Sequence, residues 1–177
     1  MQATGDALIA QNRLIDSQKA VDRAKARVEE RLRSSLPQVP HPSTFLRLLL
    51  KYFPEEPAVA LAIFKNESGL RANAFNYNCF FDGDPRNGGK PTGEKTRWSW
   101  SCPKGFEHLA WSVDCGVAQI NLAGRVCPKE AFEYEWSLKQ ARRRYDSRGW
   151  QPWTVYKDGR YKQSLEWASK LLAIRPD

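Results

Sequence analysis

The chain has 177 residues, of which 41% are hydrophobic and 12% aromatic, enough for one folded domain, and this composition excludes a disordered chain. Its formal net charge of +8 favours an acidic polymer as partner, such as nucleic acid, an anionic membrane surface or bacterial cell wall. No apolar run approaches the ~20 residues that a membrane-spanning helix needs, so we expect no transmembrane segment.

The N-terminal part of the chain is predicted to be separate from the main domain. Residues 1–36 would form a helical arm, in which apolar residues recur every seven positions at Leu14, Val21 and Val28. This stripe is wide enough for docking but thin for an independent core. The prolines of residues 37–42 predict a linker, and residues 43–177 would form the main domain. Polar residues interrupt the N-terminus early, so no signal peptide is expected.

Two short helices are predicted at the start of the main domain. The first is a leucine-rich helix over residues 43–52. The second has Pro57 in its first turn and extends to Glu67 or Ser68, after which Gly69 stops it.

The remainder of the main domain is predicted to be mostly helical. Residues 78–111 form a glycine-rich insertion, in which Trp98 and Trp100 alternate in a candidate strand. Further helices are predicted over residues 128–148 and 163–173. The fold class predicted is therefore α+β, predominantly α-helical, with a small irregular β element.

The chain has four cysteines, which allow three full pairings: Cys79, Cys102, Cys115 and Cys127. The first two bracket most of the insertion, so a disulfide between them would tie its ends. No Cys-x-x-Cys pair is present, which argues against a zinc site, and we expect no metal and no cofactor.

Glu67 is the residue to which we assign chemistry first. An apolar run precedes it, and a helix stop follows, so its carboxyl group is expected at the end of a largely buried helix, facing a cleft. Burial disfavours the charged form of a carboxyl group, which then acts as an acid near neutral pH. The alternative is a surface residue in a last helical turn.

Three segments carry a resemblance to a known family. Residues 67–76, which begin Glu-Ser-Gly-Leu, resemble the catalytic motif of the lysozyme-like lytic transglycosylases. Residues 112–121, Ser-Val-Asp-Cys-Gly-Val-Ala-Gln-Ile-Asn, resemble their second motif. Residues 156–159, Tyr-Lys-Asp-Gly, resemble a degraded third motif, with Lys157 where asparagine is usual. The resemblance covers about residues 45–172, and the arm is not part of the family domain.

The resemblance implies a lysozyme-like domain that cleaves the β-1,4 bond between N-acetylmuramic acid and N-acetylglucosamine in peptidoglycan. Glu67 would act first as acid and then as base, giving 1,6-anhydromuramyl products. The alternative in the same class is a hydrolytic muramidase, or lysozyme, that uses Asp114 as second carboxylate and water as reactant. Asp114 has an equally weighted alternative role, as a loop residue that binds nearby backbone N–H groups.

The motifs also predict which residues contact the substrate: Ser68, Gly116, Gln119, Asn121 and Tyr156. Gly116 would permit close backbone approach, either to sugar or to the Glu67 helix. Gln119 and Asn121 are interpreted either as polar lining or as amides that stabilise a turn. Tyr156 would form a hydrogen bond near Glu67 or belong to the core.

Trp98, Trp100 and Trp111 are candidates for stacking on sugar rings, with core or loop packing as the alternative.

The partners implied are the glycan strands of bacterial peptidoglycan and, through residues 6–34, a virion or secretion apparatus. A non-catalytic component of such an apparatus with the same fold is the alternative to an enzyme. Nucleic acid is not expected, because no binding motif accompanies the charge. The enzyme would act on the cell wall in the periplasm, as a phage-encoded endolysin released by a holin or as a virion-associated protein.

Overall fold

The computed structural model of this chain describes residues 42–174. The predicted arm and all of the predicted linker but its last residue lie outside the described residues. The helices are α1 (Pro42–Tyr52), α2 (Pro57–Ser68), α3 (Tyr134–Arg148), α4 (Thr154–Lys157) and α5 (Leu165–Ala173). The strands are β1 (Phe75–Phe81), β2 (Pro91–Thr92), β3 (Trp98–Ser101), β4 (Ser112–Cys115) and β5 (Ile120–Ala123).

Helix α2 is the central helix of the described region. Pro57 lies in its first turn, where no backbone N–H is needed, and Gly69 ends it in the left-handed conformation, with φ +64°. The prediction for this helix is confirmed, because it extends to Ser68. Five consecutive residues from Ala60 to Phe64 are fully buried, so α2 packs on several sides at once.

The β part is a five-stranded sheet in which every pair is antiparallel. The strand order is β2-β1-β4-β5, and β3 also pairs with β1. One face of the sheet packs on an apolar cluster that includes Val113, Cys115 and Ala131. The side chains of a strand alternate between faces, and on the other face Asn121 is exposed and Asn78 and Asp114 are half-buried.

An aromatic cluster joins α2 to the C-terminal part of the described region. Phe53 stacks on Trp150 at 5.1 Å between ring centroids, and Phe64 meets both Trp150 and Trp153 edge to face at 6.2 Å. Edge-to-face and offset pairs of this kind add to the free energy gained from burial alone. The cluster therefore places the segment around Trp153 beside the end of α2.

The predicted fold class is wrong. A predominantly helical, lysozyme-like domain with a small irregular β element was expected, whereas the structure is a mixed α+β fold with a five-stranded antiparallel sheet. Strand β1 was not predicted, and only β3 of the strands in the insertion was. The glycines of residues 78–111 favoured a loop, but β1 is completed by pairing with β4, more than 30 residues away in the chain. The residues of one short segment do not specify pairing with a strand so far away in the chain.

Two other predictions have clear outcomes. Cys79 pairs with Cys102, as the expected tie across the insertion, and Cys115 pairs with Cys127. The helix predicted over residues 128–148 begins as a separate 3-10 turn, Lys129–Phe132, before α3. Among the described residues, no helix combines the length and hydrophobicity needed to cross a bilayer.

Candidate active site

The three motif segments meet around the C-terminal end of α2. The hydroxyl of Ser68 donates to the carbonyl of Val117, at 2.7 Å, in the turn between β4 and β5. The indole N–H of Trp153, just before α4, donates to the carbonyl of Ala118 in the same turn, at 2.9 Å. Both bonds are buried and join residues far apart in the sequence. They hold the end of α2, the β4–β5 turn and the start of α4 together.

Glu67 lies at this junction with its carboxyl group largely removed from water. Its Oε1 is buried and has no hydrogen-bond partner among the described residues. The pKa of Glu67 is raised, first by burial and further by the negative charges of Asp114 and Asp158. The backbone N–H of Val155 and the charge of Arg160 act in the opposite direction. Glu67 therefore has the environment of a general acid rather than that of a surface carboxylate.

Asp114 is held as an acceptor by two side-chain amides. The amide of Asn78 donates to its Oδ2 at 2.9 Å, and the amide of Asn121 donates to its Oδ1 at 2.7 Å. All three residues lie on adjacent strands, β1, β4 and β5, with Asp114 directly opposite Asn121. Donors on both oxygens fix the orientation of the Asp114 side chain. The side chain therefore presents a negative charge in a defined position near Glu67.

Arg144 of α3 supplies a cation close to the same carboxylate. Its guanidinium donates to the carbonyl of Asn121 at 3.0 Å. Burial first, and then the charge of Arg148, lower the pKa of Arg144, whereas Asp114 raises it. Arg144 remains a cation, because an arginine does not lose its proton in a protein. It ties strand β5 to α3.

Two of the predicted substrate-binding residues have structural roles instead. Ser68 is 3% exposed, and its hydroxyl contacts the carbonyls of Phe64 and Val117, so it is not available to a substrate. Gly116 has φ +74°, and a Cβ atom there would lie 2.1 Å from the carbonyl oxygen of Ala131. The backbone at Gly116 therefore packs closely against the 3-10 turn before α3, and not against a sugar or the Glu67 helix.

The other three predicted residues lie at the junction in different ways. The side chain of Gln119 donates to the carbonyl of Gly116 at 2.9 Å and so closes the β4–β5 turn. Asn121 is exposed beside Asp114, where it remains a candidate for substrate contact. Tyr156 is half-buried and stacks on Tyr161 at 5.0 Å. No hydrogen bond joins its hydroxyl to Glu67 in the described structure; the backbone of the preceding residue, Val155, acts on Glu67 instead.

Sequence reasoning missed three groups that shape the site: Asn78, Arg144 and the backbone N–H of Val155. The alternation of Asn76 and Asn78 along β1 was a signal for the first of them, had the strand been predicted. Arg144 belongs to a run of three arginines near the end of the helix predicted over residues 128–148, a pattern that is typical of a solvated surface. A backbone N–H carries no sequence signal, because every residue except proline has one.

Comparisons with other proteins leave function to be inferred from these residues. No protein-family model, no curated protein and no solved structure matches the chain. Among residues 42–174, no group of three or more His, Cys, Asp or Glu side chains is placed to hold a metal ion.

Proposed function

We propose that the protein cleaves the β-1,4 bond between N-acetylmuramic acid and N-acetylglucosamine in peptidoglycan, as a lytic transglycosylase. Two lines of support carry the proposal. The motif residues resemble those of such enzymes, and Asp114 and Asp158, from the second and third motif segments, lie close enough to Glu67 for their charges to raise its pKa. The single most informative observation is that Oε1 of Glu67 is buried without a hydrogen-bond partner among residues 42–174, beside the charge of Asp114.

Glycosidic cleavage requires what this environment supplies. A sugar oxygen is a poor leaving group until it is protonated, so a carboxylic acid must remain neutral beside it. Burial raises the pKa of Glu67, so its carboxyl group stays protonated to a higher pH than that of an exposed glutamate. Positive charge then develops at the anomeric carbon, and the carboxylate of Asp114 stabilises it.

The transglycosylase reaction uses Glu67 twice. Its carboxyl proton passes to the glycosidic oxygen as the bond from that oxygen to C1 of the muramic acid breaks. The 6-hydroxyl oxygen of the same sugar then bonds to C1 and closes a 1,6-anhydro ring. The proton of that hydroxyl passes to the carboxylate of Glu67, which restores the acid. Water is not a reactant.

A hydrolytic muramidase is the second candidate, and the fixed carboxylate of Asp114 favours it. Two amide donors hold Asp114 in one orientation, as a nucleophile or an electrostatic stabiliser requires. In that reaction water would replace the 6-hydroxyl, and the product would carry a reducing end. The two candidates share Glu67 and differ in how strictly they depend on Asp114.

The disulfides are compatible with a periplasmic site of action. Two disulfides form and persist in an oxidising compartment, and the periplasm is where peptidoglycan lies. We propose a phage-encoded protein, released by a holin or carried in the virion, as the setting in which this chain meets its substrate.

The substitution Glu67→Gln tests the proposed function. It removes the acid with almost no change in shape, so cell-wall clearing is expected to fall by at least about 100-fold. The measurement is the loss of turbidity of a suspension of purified peptidoglycan. Glu130→Gln, the same chemical change at an exposed position, is the control and should leave clearing unchanged.

Mass spectrometry of the digested peptidoglycan separates the candidates. Ends of the 1,6-anhydromuramyl type indicate the transglycosylase, and reducing ends indicate the muramidase. Retained clearing by the Glu67→Gln protein would overturn both. A folded wild-type protein that clears no peptidoglycan would instead support a non-catalytic virion or secretion-apparatus component.

A further inference from the structure

The face of the sheet that is turned away from the apolar cluster is almost entirely polar and uncharged. Residues directly opposite each other in antiparallel strands point to the same face. Asn76, Asp114 and Asn121 form one such row, and Asn78 lies opposite Ser112 in the next. On the opposite face, Tyr77, Val113 and Leu122 pack on the apolar cluster. The polar face thus lies opposite the face that packs on the core.

Side-chain hydrogen bonds connect this polar face into one network. Asn76 donates to Asn78 at 3.2 Å, and Asn121 donates to the buried hydroxyl of Ser112 at 2.9 Å. Asn78 and Asn121 both also donate to Asp114. Asn121 is exposed and takes part in the network through its N–H₂ group alone, so its side-chain Oδ1, which has no partner among the described residues, can accept from an incoming hydroxyl or amide.

An aromatic shelf, formed by Phe80 and Trp111, lies at the far end of the polar face. The two rings are nearly parallel, 5.0 Å apart with an interplanar angle of 11°. The indole N–H of Trp111 donates to the hydroxyl of Ser99 at 3.0 Å, and Ser99 lies directly opposite Phe80 in the sheet. Trp111 is nevertheless 39% exposed. The indole ring is thus supported on one face by Phe80 and at its N–H edge by Ser99, and its exposed part can stack on a ligand.

The polar face connects this shelf to the candidate catalytic carboxyl group. Asn76 lies opposite Asp114, whose charge acts on Glu67, and Phe80 lies four residues further along β1. At the usual rise of a strand, that separation is roughly 13 Å. The shelf therefore lies at some distance from the bond that Glu67 would cleave, along the same strand.

We propose that the polar face and the aromatic shelf bind a strand of N-acetylated hexosamines, with the shelf stacking on a sugar ring remote from the cleaved bond. This inference rests on the proposed function, because it assumes that the glycan is cleaved at the end of the face that lies near Glu67. The aromatic shelf, formed by Phe80 and Trp111 at the two ends of the insertion, would then favour glycans long enough to reach it.

The chemistry of the face fits an uncharged glycan better than an anionic polymer. Among the paired positions on this face, Asp114 is the one charged residue, and the guanidinium of Arg144 on α3 lies near its carboxylate and opposes its charge. Hydroxyl and N-acetyl groups match neutral amides and hydroxyls. The C–H groups on the flat side of a sugar ring carry partial positive charge and pack against the negative face of an indole.

Binding measured with inactive protein tests the inference. The parent is the Glu67→Gln protein, and the probes are the hexamer and the dimer of β-1,4-linked N-acetylglucosamine, titrated by calorimetry. Adding Trp111→Ala is expected to weaken hexamer binding about tenfold, because one stacking contact is lost. The affinity for the dimer should not change, because a dimer bound beside residue 67 is too short to reach Trp111. Trp111→Phe should restore part of the hexamer affinity.

Trp100→Ala is the matched control. Trp100 is 53% exposed but lies opposite Cys79, on the other face of the sheet, and stacks with Arg86 instead. Its removal should leave hexamer binding unchanged. An equal loss from Trp100→Ala and Trp111→Ala would overturn the assignment of the face.

The outcomes also separate this inference from the proposed function. Hexamer binding that survives Trp111→Ala, or that is absent from a folded parent, overturns the inference even if the wild-type protein clears peptidoglycan. Hexamer binding that depends on Trp111, in a protein whose wild type clears nothing, overturns the proposed catalysis and leaves a glycan-binding protein.

Discussion

At the residue scale, Glu67 shows how neighbours turn an ordinary side chain into a candidate acid. The glutamate lies in the last turn of α2, where sequence alone also permits an exposed residue. Burial, and the charges of Asp114 and Asp158, disfavour its ionised form. Each of these causes comes from a residue or a layer of packing that is distant in the chain.

The pH dependence of cleavage should therefore change when Asp114 is replaced. An acid must be protonated to act, so kcat/KM is expected to fall as the pH rises through the raised pKa of Glu67. Asp114→Asn removes a negative charge that raises this pKa. The alkaline limb of the profile should then move to lower pH, as measured by initial rates of clearing across a pH series.

Asp146→Asn serves as the control for that series, because it neutralises an exposed carboxylate that pairs with Arg142 on α3. Its profile should coincide with that of the wild-type protein. An Asp114→Asn protein that is inactive at every pH would instead identify Asp114 as an obligatory participant and favour the muramidase. An unmoved alkaline limb would contradict the role assigned to the charge of Asp114.

At the element scale, the β4–β5 turn is the part of the site that depends most on close packing. Gly116 donates its N–H to the carbonyl of Ala74 at 2.8 Å, while its Cα faces the 3-10 turn before α3. The hydroxyl of Ser137 accepts a hydrogen bond from Ala118 at 3.1 Å. The turn is thus held from several sides, and its position sets that of Asp114 and Asn121.

Gly116→Ala is expected to destabilise the protein severely, by at least about 3 kcal/mol. The new methyl group would lie 2.1 Å from the Ala131 carbonyl oxygen and 2.9 Å from the Ser137 hydroxyl, and neither the backbone nor the helix can yield cheaply. Urea denaturation gives the free energy of unfolding. Insoluble protein would agree with the prediction.

Gly124→Ala provides the comparison that isolates this steric effect. Gly124 also has a positive φ, +84°, but a Cβ atom there would meet nothing within 4 Å. Gly124→Ala should lower the free energy of unfolding only by the strain of the left-handed backbone, about 1–2 kcal/mol. Equal costs for the two variants would show that the contact with Ala131 is unimportant.

At the scale of the whole molecule, two disulfides reinforce the β part of the structure. Cys79–Cys102 closes the insertion over a separation of 23 residues, and Cys115–Cys127 closes a segment of 12 residues after β4. Cys79 and Cys115 are fully buried, so both bridges are anchored in the core of the sheet.

Replacing each pair with serine is expected to lower the free energy of unfolding by about 3 kcal/mol, through the greater entropy of the unfolded chain. The double substitution Cys79→Ser with Cys102→Ser should lower the free energy of unfolding slightly more than the other pair, because its disulfide closes a longer loop. Urea midpoints with and without reductant measure the effect. A wild-type midpoint that does not respond to a reductant strong enough to open both bridges would contradict it.

The sequence by itself determined the features that depend on local chemistry. Pro57 and Gly69 predicted both ends of α2, because a proline suits a first helical turn and a glycine adopts the left-handed conformation that ends a helix. The resemblance of its segments to the motifs of a known family also singled out Glu67, Asp114 and Asn121, which lie together in the structure.

Only the tertiary structure decided which residues of a motif contact solvent and which hold the motif in place. Ser68 and Gly116 stand in the same motifs as Glu67 and Asn121, yet their side-chain positions are enclosed by other elements. The five-stranded sheet was likewise decided by pairing between β1 and distant strands. Burial and strand pairing are properties of contacts across the chain, so neighbouring residues alone do not specify them.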